Sequence, residues 1–190
     1  MATRDIVSAI AGIIFLCGFV PYIVAIVRKE TQPSKASWII WATLDSVTLA
    51  GMYFKGTLNG QIIGAVTGAV IVVFLALKYG TPGWTKLDKQ CLAGGLVGIV
   101  LWMVFDEPNF GIILSNLVVF LGSLPTFASA WKNPSNENRT AWTIFWISCV
   151  LAALTIPAWT IADAVQPMTF LAVESVMMYI LYFRKQPVIA

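Results

Sequence analysis

The chain has 190 residues, 58% of them hydrophobic and 11% charged, with a formal net charge of +3. A soluble domain carries about a quarter charged residues, so this composition describes a polytopic membrane protein, and a net charge this small gives no reason to expect a nucleic-acid partner. Histidine is absent, which removes zinc hydrolases and histidine-based triads, and no cofactor is implied.

In chain order, apolar stretches fall at roughly 6–27, 36–54, 60–78, 89–105, 110–131, 141–161 and 166–183. Most are close to the ~20 residues needed to cross a hydrocarbon core of about 30 Å. Polar punctuation separates them: "KETQPSKAS", "KGTLNG", "GTPGWTKLDK", "DEPN", "KNPSNENRT" and "ADAVQP". The fourth and fifth stretches are divided only by Asp106, Glu107, Pro108 and Asn109, a cluster too polar for lipid. Arg4 ahead of the first stretch resembles a signal peptide. The run is too long, however, and lacks a small-x-small cleavage site, so it is read as a true span. Cys17, Cys91 and Cys149 lie inside apolar runs and read as small buried hydrophobes, with no disulfide framework.

Charge orients the spans. Arg28, Lys29, Lys35, Lys78, Lys86, Lys89, Lys132, Arg139, Arg184 and Lys185 all fall on one side, against only Arg4 and Lys55 on the other. The basic side is cytoplasmic, which puts the N-terminus outside and the C-terminus inside. Trp38, Trp84, Trp131 and Trp142 then fall at cytoplasmic ends and Trp102 and Trp159 at outer ends, where aromatic belts are expected.

The chain repeats itself. A shift of 104 residues lays Gly18 on Gly122, Pro21 on Pro125, Arg28 on Lys132 and Trp38 on Trp142, and a shift of 105 lays Gln61 on Gln166. Two three-span copies in the same orientation need one further crossing between them. This predicts a first repeat over 1–80, a linker helix within 81–107 and a second repeat over 108–190. The fold class expected is therefore all-α, with seven transmembrane helices as two parallel three-helix repeats joined by a linker helix.

Five further readings concern chemistry. Asp45 and Glu174 are the acids well inside spans, about 12–14 Å from opposite surfaces at 1.5 Å per residue. Trp38, Trp41 and Asp45 share one helix face, echoed by Trp142, Trp146 and Cys149 in the other copy. An aromatic plane beside a carboxylate suits a sugar ring, a flat heterocycle or an organic cation, or else Trp41 and Trp146 simply pack between helices. Asn116 either bonds a ligand hydroxyl or ties two helices together. Gly64, Ala65, Gly68 and Ala69, and Ala93, Gly94, Gly95 and Gly98, read as close helix packing. Pro21 and Pro125 each remove a helix hydrogen bond, freeing the carbonyls of Cys17 and Leu121 beside Gly18 and Gly122, so the pattern predicts two matched bends forming a hinge or gate.

Prolines in the first helix of each three-helix repeat, together with the three-one-three organisation, resemble the PQ-loop superfamily, and within it the SWEET and SemiSWEET sugar transporters. The family's Pro-Gln pair is represented by Pro21-Tyr22 and Pro125-Thr126, with each glutamine replaced. The resemblance implies a transporter of a small-molecule substrate, a sugar or sugar-like metabolite, working by alternating access. Trp41, Asp45, Asn116, Trp146 and Glu174 are the candidate substrate residues. It leaves room for protons as a coupling ion and for a homo-oligomer in a prokaryotic inner membrane. Two alternatives stay open: a ligand-binding receptor of SWEET-like fold, as the KDEL receptor is, and a nicotinamide riboside-type vitamin transporter. A retinal protein is excluded because the last span has no lysine. No G-x-S-x-G or H-E-x-x-H motif points to an intramembrane enzyme.

Overall fold

The computed structural model describes residues 2–105 and 107–184. Asp106 and Lys185 lie outside the described residues, as do the side chain of Trp102 and the surroundings of Gly98. Among the described residues the chain is all-α: α1 (Ala2–Val27), α2 (Lys35–Lys55), α3 (Gly60–Tyr79), α4 (Lys86–Phe105), α5 (Pro108–Gly122), α6 (Leu124–Lys132), α7 (Arg139–Leu154) and α8 (Ile161–Phe183), with one 3₁₀ turn at Pro134–Asn136.

Most helices start where a polar side chain replaces a missing backbone acceptor. Ser34, Asn59, Glu107, Asn138 and Thr160 accept from the amides of Ser37, Ile62, Phe110, Ala141 and Asp163. Thr85 and Asp88 form a reciprocal capping box ahead of α4. α2 ends on Gly56 in the left-handed region, at φ 67°.

Five helical segments are long and apolar enough to cross a bilayer: α1, α3, α4, α5 with α6, and α8. Their outward faces are apolar, with Ile13, Val20, Phe74, Met103 and Val104 exposed, as lipid contact requires. The other two expected spans differ. α2 has the length but carries Asp45 and several hydroxyl side chains. α7 has 16 residues, about 24 Å at the standard helical rise. It stops at Leu154, not at 161, because Pro157 disfavours helix at Ile156 and has no N–H to continue it. α8 begins at Ile161, five residues ahead of the expected start, because Thr160 caps it; Pro167, read as punctuation from sequence, lies inside the helix.

The prolines also behave unequally. α1 runs unbroken through Pro21. The fifth span divides at Ser123, and Pro125 sits in the first turn of α6. There the Cys91 thiol donates to the carbonyl of Leu121 (3.6 Å), the group that Pro125 frees. Ser123 Oγ donates to Val119 O (2.9 Å).

α3 lies against both α1 and α2, and α8 against α5, α6 and α7. α1 packs on α7 and α2 packs on α5, while α4 lies along α2, α5 and α6. Glycines set the closest approaches. A Cβ at Gly64 would come 2.7 Å from the carbonyl of Gly12, and one at Gly60 would come 2.5 Å from that of Ser8, so α1 and α3 touch backbone to backbone. Gly18 is filled by the ring of Phe145 and Gly122 by the side chain of Ile40. Both candidate hinge glycines therefore accommodate a side chain from the opposing helix.

Candidate functional site

Where α1, α2, α7 and α8 face one another, their large side chains leave a small cavity of about 40 Å³ lined by buried residues, room for roughly three waters. Aromatic rings form most of its wall. Trp38 meets Trp41 at 5.0 Å between centroids and 85°, Trp41 meets Trp142 at 6.2 Å and 71°, and Trp142 meets Phe145 at 6.1 Å and 89°. Successive edge-to-face contacts turn the rings through corners, so they enclose a space.

Asp45 from α2 and Glu174 from α8 enter the same cavity. They are 4% and 6% exposed, and Asp45 Oδ1 and Glu174 Oε2 have no hydrogen-bond partner. Buried polar atoms are normally paired, so two unpaired carboxyl oxygens in one cavity mark where a ligand would complete the structure.

Of the five residues expected from sequence, Trp41, Asp45 and Glu174 come together here. Asn116 is buried outside the cavity, donating to Thr48 Oγ1 (3.3 Å) and Ile112 O (2.8 Å), and so ties α5 to α2. Trp146 bonds Ser175 Oγ at 3.0 Å, tying α7 to α8. Trp38 and Trp142, expected in the aromatic belt, are instead 4% and 2% exposed and form cavity wall. Their lipid-facing reading fails because their indole N–H groups find buried acceptors. Trp84, Trp131 and Trp159 are exposed, as an interfacial position requires.

Those acceptors reveal a second cluster at the basic end of the bundle. Glu137 Oε2 accepts from Tyr22 (2.8 Å) and from Trp142 Nε1 (2.9 Å), and Tyr22 accepts in turn from Trp38 Nε1 (3.3 Å). Glu137 precedes α7, outside the helical spans, and is 4% exposed. Burial raises its pKa from 4.5 to about 7, against the two donors, which hold it lower. The 3₁₀ turn folds this acid inward, and the turn is held to the facing loop by a bond from Gln32 N to Asn136 O (2.9 Å). Nothing in the sequence separates Glu137 from a solvated loop acid. The one usable signal is that Tyr22 and two tryptophans need acceptors somewhere.

On the other side of the cavity a polar line leads outward. Gln61 Nε2 donates to Cys149 Sγ (3.0 Å), Gln166 Nε2 to Gln61 Oε1 (3.1 Å) and Asn59 Nδ2 to Gln166 Oε1 (2.8 Å). Asn59 borders a polar recess of about 180 Å³ that also takes in Arg4, Asp5, Thr155 and Asp163. The cavity thus lies between an open polar recess at one end and the Tyr22–Glu137–Trp142 cluster at the other. No family model, curated protein or solved structure matches the chain.

Proposed function

We propose that the chain is a membrane transporter for a small solute, working by alternating access around the cavity between α1, α2, α7 and α8. The observation that carries this reading is a buried cavity with two unpaired carboxyl oxygens, set between a polar recess and a hydrogen-bonded cluster. A binding space this small, lined by buried side chains, admits a solute when helices move, and moving them alternately is transport.

The neighbour relations support two parallel three-helix repeats with α4 as linker. The first helix of each set packs on the second helix of the other, α1 on α7 and α5 on α2. Matched positions also meet: Gln61 bonds Gln166, and Gln32 bonds Asn136, which lies 104 residues further on. Such self-meetings at both ends of the bundle fit an axis along the membrane normal, with the two sets rocking about it. The SWEET-like resemblance adds the expectation of a sugar or sugar-like solute, with the N-terminus outside and the C-terminus cytoplasmic.

The test is uptake by liposomes carrying the purified chain, over a panel of sugars, vitamins and amines. Saturable uptake of at least one solute is expected, reduced at least tenfold by Asp45→Asn or Glu174→Gln. Binding without uptake would make the chain a receptor. Unchanged uptake in both variants would remove the cavity from the mechanism. Flux indifferent to a proton gradient would leave a uniporter.

A further inference from the structure

The cavity offers a narrow range of chemistry. Each of its three indole N–H groups is already committed elsewhere: Trp38 to Tyr22, Trp142 to Glu137, and Trp41 to Val119 O and Ser123 Oγ, both at 3.3 Å. Among the described residues, no lysine, arginine, serine, threonine, asparagine or glutamine lines it. What remains for a ligand is ring surface and two carboxyls. Ionised carboxyls only accept hydrogen bonds, and buried charges stay costly until a counter-charge meets them. The chain supplies no such counter-charge from the cavity wall.

We propose that this cavity binds an organic cation, either an alkylammonium group or a positively charged aromatic ring, held over the rings of Trp38, Trp41, Trp142 and Phe145 and paired with Asp45 and Glu174. The proposal rests on the transport reading for its biological meaning and on the cavity alone for its chemistry. Aromatic faces set at corners attract cations through their ring quadrupoles, the arrangement that recognises quaternary ammonium groups. A neutral polyol fits less well: it would find no nitrogen donor in the wall, and it carries no charge for the ring faces and carboxyls to attract. A hard metal ion fits poorly too. Calcium takes six to eight oxygen ligands and magnesium six, whereas two carboxyls supply at most four. The cavity has about 40 Å³ in this conformation, so a cation larger than a few atoms needs the helices to part.

The experiment uses the full chain in detergent and in liposomes. Its probes are tetramethylammonium, benzyltrimethylammonium, benzyl alcohol, benzoate and glucose, with binding read by thermal shift and tryptophan quenching. The two cations are expected to bind at least tenfold more tightly than the alcohol, benzoate or glucose. Asp45→Asn and Glu174→Gln should each erase most of that preference. Trp41→Phe, which keeps a ring, should weaken cation binding by less. Glucose or benzyl alcohol binding as well as the cations would overturn the proposal, as would binding of none of the five. The wild-type preference stands as a test even if a variant fails to fold. In liposomes, uptake of neutral solutes without cations would sink the cation site and leave transport intact. Cation binding without uptake of any solute would do the reverse.

Discussion

Glu137 has its two donors, Tyr22 and Trp142, on one carboxyl oxygen and none on the other. Burial lifts its pKa from 4.5 to about 7, so the folded chain holds this proton more tightly than the unfolded chain does. The stabilisation is complete below pH 4.5 and declines as pH rises to about 7, a total of about 3 kcal/mol. The melting temperature in detergent is therefore expected to fall across that window, and Glu137→Gln, which keeps an acceptor and cannot ionise, should flatten the decline. A wild-type curve no steeper than the variant's would sink this account. The same residues explain what the sequence hid. Tyr22 stands where the resembled family has glutamine and reads there as a departure, yet its hydroxyl closes a bond to a residue 115 positions away. Asp45 and Glu174 were legible because a charge inside an apolar run is conspicuous. Glu137 was not, because its burial comes from a turn that no local pattern announces.

Among the elements, α1 and α3 owe their contact to glycines that leave no room for a methyl. At Gly60 the obstructing atom is the backbone carbonyl of Ser8, which cannot move aside as a side chain can. Gly60→Ala is expected to destabilise the chain by about 1–3 kcal/mol, read as a lower melting temperature. Gly94→Ala in α4 meets nothing within 4 Å and should be neutral or gain up to ~1 kcal/mol of helix propensity. Equal effects of the two would show that helix approach is not what Gly60 supplies. The helices themselves were legible from apolar run length and the polar breaks between runs, and the α1, α3 and α4 boundaries lie within a few residues of expectation. The prolines differ in what they do to their helices. Pro167 looked like a boundary and lies within a helix, and α1 is helical through Pro21, whereas the fifth span divides beside Pro125. Proline removes a donor in every case. Whether the helix divides depends on what the freed carbonyl and its neighbours can bond instead, as Cys91 and Ser123 do around Pro125.

For the whole molecule, the basic residues gather at the end that holds Glu137, and Arg4 and Asn59 mark the recess at the other. With Cys17, Cys91 and Cys149 replaced by alanine, Pro82→Cys is expected to react with an impermeant thiol reagent only from the cytoplasmic side. Leu58→Cys should react only from outside. The opposite pattern would invert the orientation, and reaction of both from one side would remove the odd number of crossings between them. The expected repeat rests on Gly, Pro and Trp recurring at a spacing of 104 residues. The composition of the cavity was legible only in part. A single strand of sequence gives the face on which Trp41 and Asp45 lie, and says nothing of Phe145 arriving from α7 or of Trp142 turning its N–H away.

Cys149 carries a consequence of its own. Its thiol is fully buried and holds the inner end of the line that runs through Gln61 and Gln166. Cys17, by contrast, is exposed on the outer surface of α1, and Cys91 is half-buried. The protein therefore contains a native chemical clock: the rate at which an alkylating reagent consumes Cys149 counts how often the bundle opens, with no residue changed.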